Sequence, residues 1–184
     1  MYSYTKAALG LKFMFWSRLI SVIFSVMTLI MRYYLEGVII GAIVILVCGI
    51  VDAVGLFLVS REIDECKNAF WALMIGTVLS LFKNESNIIN IAASIASLVM
   101  LYYILIPISR ILKTRGFRGV ASLGNIIWKL QLAFILIPIG SIFLALIPIV
   151  NIVVLLVLSA LGIGSIAVNI AYMVFLFKSS QCLE

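Results

Sequence analysis

Residues 37–60 read GVIIGAIVILVCGIVDAVGLFLVS, an apolar run whose one charged residue is Asp52. A bilayer crossing needs about 20 such residues, so this stretch is a transmembrane helix. A carboxylate at that depth is costly and has a partner, a water-filled space or a proton to handle. Asp52 is thus both the mark of a membrane fold and the first candidate functional residue.

The rest of the chain agrees. Of 184 residues, 65% are hydrophobic and 11% charged, with a mean hydropathy of +1.31. Soluble domains run at roughly 45–50% apolar and about 25% charged. The excess is divided into several runs of spanning length, so the chain reads as one all-α polytopic membrane domain over residues 1–184. Helices are expected at 11–32, 37–60, 67–83, 87–109, 124–147 and 151–177. The third has a short apolar core, AFWALMIGTVLSLF, compatible with a tilted span or a re-entrant piece. Arg18 inside the first apolar segment, with no small-x-small cleavage site after it, predicts a retained first helix rather than a removed signal peptide.

Charge decides between five and six crossings. With six spans, Lys6, Lys12, Arg18, Arg61, Lys67, Arg110, Lys113, Arg115, Arg118, Lys129 and Lys178 fall on one side, and only Arg32 and Lys83 on the other. The positive-inside rule requires this asymmetry. Both termini are therefore expected in the cytoplasm. The net charge of +6 follows topology, and nucleic acid is not an expected partner. The bilayer is the expected partner, with further copies of the chain open. The stretch SRILKTRGFRGV, read as a loop, is either a solvated topogenic loop or one whose Arg110, Lys113, Arg115 and Arg118 rest on anionic headgroups.

Trp16, Trp71 and Trp128 are separated by 55 and 57 residues, and each opens an odd-numbered helix. This spacing predicts three parallel hairpin repeats at about 11–60, 67–109 and 124–177, with an interfacial aromatic belt as the competing explanation. Even-numbered helices are rich in small residues: Gly37, Gly41, Gly49 and Ala53; Ala92, Ala93, Ala96 and Ser97; Ala160, Gly162, Gly164 and Ser165. Such side chains let membrane helices approach closely, so helices two, four and six are expected as an inner trio. Pro138 is expected to bend helix five, Pro148 to sit at the outer turn and Pro107 to kink the end of helix four.

Cys48, Gly49 and Gly55 share a helical face with Asp52. Asp52 lies nine residues from Arg61, Tyr102 eight from Arg110 and Asn169 nine from Lys178, which places all three about 12–14 Å from the basic ends. Together with Arg18 they form the expected buried polar layer. Two readings stay open: a structural pair, in which Arg18 or the Tyr102 hydroxyl holds Asp52, or a group that takes up a proton or cation. Enzyme chemistry has little support. The chain has no histidine to activate a nucleophile, and no CxxC among Cys48, Cys66 and Cys182. Gly116 and Gly119 lack phosphate-loop spacing. No catalytic, metal or cofactor residues are expected.

Three tandem hairpins, each opening near a tryptophan, resemble the HdeD-like acid-resistance membrane proteins of bacteria. The residues carrying the resemblance are NAFWALMIGTVLSL, VIIGAIVILVCGIVDAVGLF and ALIPIVNIVVLLVLSALGIG. That family tends to place a proline at each hairpin turn, and here only Pro148 does so. The resemblance implies a multipass inner-membrane protein linked to acid or envelope stress, with no catalytic residues to carry over. Two alternatives remain open. One is a small proton- or cation-coupled transporter or a substrate-binding membrane subunit, against which the short outer loops count. The other is a scaffold subunit of a larger membrane complex.

Overall fold

The computed structural model describes residues 4–30, 35–81, 87–144 and 151–184. They form six α-helices: α1 (Thr5–Ile30), α2 (Leu35–Glu62), α3 (Lys67–Leu81), α4 (Asn87–Thr114), α5 (Arg118–Leu144) and α6 (Asn151–Leu183). A single 3-10 turn, Asp64–Cys66, joins α2 to α3. Helices are what a bilayer demands, because each backbone N–H and C=O must find its partner within the segment. Five of the helices contain a stretch long and apolar enough to cross a membrane. Among the described residues α3 is the exception, its 15 residues covering about 22 Å against a hydrocarbon thickness of about 30 Å. It nevertheless runs antiparallel to α4. Glu65, just before it, pairs with Arg110, and Gly76 faces Ala96.

Several helices extend past the apolar runs because specific groups satisfy their ends. α1 begins at Thr5 rather than near residue 11. The Glu62 carboxylate accepts the Lys6 N–H at 3.1 Å and the Ala7 N–H at 2.7 Å, answering two of the orphan donors of a helix start with negative charge. α6 continues to Leu183, where Arg115 Nη1 donates to the Cys182 and Leu183 carbonyls, each at 3.2 Å. Lys12 pairs with Glu184. The N-terminus, the end of α2 and the C-terminus therefore share one end of the bundle, the basic end.

The stretch expected as a loop, 109–120, is mostly helix. α4 runs through Thr114 and α5 starts at Arg118, leaving a turn around Gly116, whose φ is +91°. The Phe117 N–H reaches back to the Leu112 carbonyl at 2.9 Å and the Gly116 N–H to that of Lys113 at 3.2 Å. This is a glycine-closed helix end, and a side chain at Gly116 would be strained. Pro107 lies buried within α4, which continues beyond it. Pro138 lies within α5, and Pro148 falls outside the described residues.

The even helices do not form an inner trio. Helices pack on their chain neighbours, α1 closes on α6, and α4 touches α6 only lightly; among the described residues α2 makes no substantial contact with α4 or α6. The reason lies in the small residues. Added Cβ atoms on Gly49 and Gly162 would meet open space, whereas one on Gly55 would lie 2.6 Å from the Gly10 carbonyl oxygen and 2.8 Å from Met14 Cγ. Close approaches thus lie between α1 and α2, between α5 and α6, where Gly164 receives the Phe134 ring, and at Gly124 of α5, which meets Ser109 of α4 and Phe175 of α6. Trp16 and Trp71 face outward, while Trp128 packs against the core.

Burial is uneven along the bundle. Leu11 and Met14 of α1, Leu56 and Val59 of α2, Ile104, Leu105 and Ile108 of α4, and Tyr172, Phe175 and Leu176 of α6 are sealed, and all lie toward the basic end. Beyond Asp52, the described side chains of α2 are mostly exposed, among them Ile43, Leu46, Val47 and Ile50. Among the described residues the sealed side chains thus gather toward the basic end, and Asp52 lies at the upper limit of that sealed region on α2.

Candidate functional site

Three helices meet at Asp52. Arg18 of α1 brings its Nε to 3.1 Å from Asp52 Oδ2. The contact is an ion pair, set among side chains that leave Arg18 Nε and Asp52 Oδ1 buried. Next to the pair, the Ser17 hydroxyl donates to the Cys48 carbonyl at 2.8 Å. This bond ties α1 to α2 one turn above Asp52.

α6 completes the site. The Arg18 guanidinium carbon lies 5.2 Å from the centroid of the Tyr172 ring, a cation–π contact that shares the support of the cation between a carboxylate and an aromatic face. Tyr172 is sealed from solvent, and its hydroxyl has no hydrogen-bond partner among the described residues. Three residues earlier on the same helical face, Asn169 opens into a cavity of about 330 Å³ together with Ser17, Arg18, Ser21, Gly49 and Asp52. The side chains of Arg18 and Asp52 are 30% and 15% exposed. The pair is therefore part of a cavity wall and not sealed in the core.

Of the four residues expected in a polar layer, the fold brings together Arg18, Asp52 and Asn169. Tyr102 is elsewhere. Its ring packs 5.0 Å from that of Trp128 and 5.3 Å from that of Tyr103, and it is 41% exposed. Because α4 packs on α3 and α5 and makes no substantial contact with α2 among the described residues, Tyr102 does not join Asp52. The tyrosine that does reach Arg18 is Tyr172. Its signal was available in the i, i+3 spacing from Asn169.

The four basic residues expected to meet anionic headgroups divide in two. Arg110 Nη1 donates to Glu65 Oε1 at 2.8 Å, and Arg115 holds the C-terminal carbonyls of α6 with its Cζ 5.0 Å from the Tyr4 ring centroid. Lys113 and Arg118 are exposed. Between α2 and α3, burial pushes the Cys66 thiol up to about 12, with the neighbouring Glu65 charge adding to the effect. Among the described residues, no three His, Cys, Asp or Glu side chains are grouped to hold a metal ion.

The fold and site define a class: a polytopic helical membrane protein with an intramembrane ion pair in the wall of a polar cavity. Comparison with protein-family models, with curated proteins and with solved structures finds no match.

Proposed function

We propose that this chain is a non-enzymatic, proton-linked transport protein of a bacterial inner membrane, with both termini in the cytoplasm and the Arg18–Asp52 pair as its working group. The observation that carries the reading is an Arg18–Asp52 ion pair set in the wall of an open cavity, with side chains 30% and 15% exposed. A purely structural pair gains most when it is enclosed and every oxygen and N–H is satisfied. A carboxylate in a cavity wall can be reached by a proton or cation. Protonation there would cancel the charge holding Arg18, and the guanidinium, resting on Tyr172, would be freed toward the cavity. Deprotonation would draw it back. Two charge states thus correspond to two arrangements of α1 against α2, the kind of bistable element that couples binding to movement.

The orientation rests on the concentration of basic residues at the end that holds both termini. An acid- or envelope-stress role, as the resemblance to HdeD-like proteins implies, would draw on the same carboxyl.

The test is proton movement in proteoliposomes with a trapped pH dye and a clamped membrane potential. The wild type should dissipate an imposed pH gradient several-fold faster than Asp52→Asn. Equal rates in the two would remove the proposal.

A further inference from the structure

Asp52 lines a second space. Between α2 and α3 lies an open apolar groove of about 960 Å³, walled by Leu46, Ile50, Val54 and Phe57 on one side and by Phe70 and Leu73 on the other. On α2 it extends from Ile45 to Phe57, a strip about 18 Å long at 1.5 Å per residue. Its walls are almost wholly apolar, which suits an alkyl chain. Its volume is at the upper end of ordinary ligand sites, about 300–1,000 Å³.

Three residues belong to both spaces: Ile45, Gly49 and Asp52. At spacings of four and three they form a single stripe along α2, with the polar cavity on one flank and the apolar groove on the other. The divide is lowest at Gly49, where an added Cβ would meet nothing within 4 Å. A molecule lying across Gly49 can therefore place a polar end beside Arg18 and Asp52 and an apolar end beside Phe57 and Phe70.

Charge narrows the class of ligand. The cavity presents one guanidinium and one carboxylate, with neutral Ser17, Ser21 and Asn169 around them. A head of a single sign would meet its like charge as well as its opposite, while a head carrying both signs can match both. We infer that the joined spaces bind a zwitterionic single-chain amphiphile, its anionic group at Arg18, its ammonium at Asp52 and its alkyl chain in the α2–α3 groove. This rests on the reading of Arg18 and Asp52 as a binding pair, and it names the substrate class.

The experiment is native mass spectrometry of the full chain released from maltoside micelles, with three probes. These are lysophosphatidylethanolamine, lysophosphatidylglycerol of the same chain length, and phosphoethanolamine alone. The zwitterionic lysolipid should bind about tenfold or more tightly than either other probe, a difference of about 1.4 kcal/mol. Gly49→Leu, which fills the notch, should weaken it by about tenfold. Gly49→Leu should keep the wild-type melting temperature, since a side chain there meets open space, and this separates blockage from misfolding. Equal binding of the two lysolipids, tight binding of phosphoethanolamine alone, or wild-type binding by Gly49→Leu would overturn the inference. A lipid-free dimer with the groove filled by a second copy would also overturn it. Failure is separable from that of the transport reading: a protein that binds the lysolipid as expected but moves no protons through Asp52 keeps the site and loses the coupling.

Discussion

Arg18 and Asp52 join α1 to α2 at 3.1 Å, on the same helix pair that Gly10 and Gly55 bring into backbone contact nearer the basic end. The two contacts divide the work. The glycine contact brings the two backbones together among sealed side chains, and the ion pair bridges the same helices about one to two turns farther along, at the cavity wall.

Removal of either partner should destabilise the protein, because the survivor is left as an uncompensated charge in a poorly solvated place. Partial exposure moderates the cost, and about 1–3 kcal/mol is expected for Asp52→Asn or Arg18→Gln alone. The double variant should lose less than the sum, with a coupling of about 0.5–3 kcal/mol. Thermal or denaturant unfolding in detergent measures all three. Strict additivity would mean that the two charges do not sense one another.

Glycine substitutions should separate packing from the cavity. Gly55→Ala forces a methyl against the Gly10 carbonyl and Met14, and overpacking of this kind costs about 1–3 kcal/mol. Gly49→Ala meets open space and should be nearly neutral. If the two variants melted alike, the close α1–α2 approach would be wrong.

Cys66 makes stability depend on pH from the alkaline side. Its thiol is held up to about 12 in the folded chain, whereas an unfolded cysteine ionises near about 8.5. The raised folded value means that the contribution is complete below the unfolded value and is lost as pH rises toward the folded one. Between these limits stability should fall by up to about 1.4 kcal/mol per pH unit. Cys66→Ala should flatten this part of the profile. The same burial predicts that maleimide labels Cys66 only on unfolding; rapid labelling of the folded protein would contradict it.

Much of this architecture was legible because a bilayer imposes simple rules. Apolar length located six helices, and charge asymmetry argued for six crossings where the short α3 left doubt. Helix ends were harder. Hydropathy stops at the first charges, but backbone hydrogen bonding does not, and the Glu62 cap and the Arg115 clasp on α6 are long-range contacts with no local pattern. The pairing of Arg18 with Asp52 and the nearness of Asn169 followed from depth and face. Tyr102 failed because depth is only one coordinate; which helices are neighbours is the other. Small-residue patterns suggested an inner trio, yet Gly49 and Gly162 face open space. A glycine stripe marks where something can approach, and its spacing does not distinguish a helix from a cavity.

The protonation of Asp52 can be observed by carboxyl infrared difference spectroscopy on reconstituted protein across the acid-to-neutral range, with Asp52→Asn as reference. A protonated-carboxyl band that grows on acidification, reverses on return and is absent from Asp52→Asn is the expected result. A spectrum in which Asp52 stays ionised throughout, with Asp52→Asn altering only thermal stability, would make the Arg18–Asp52 pair a fixed structural bridge and end the proton-linked reading.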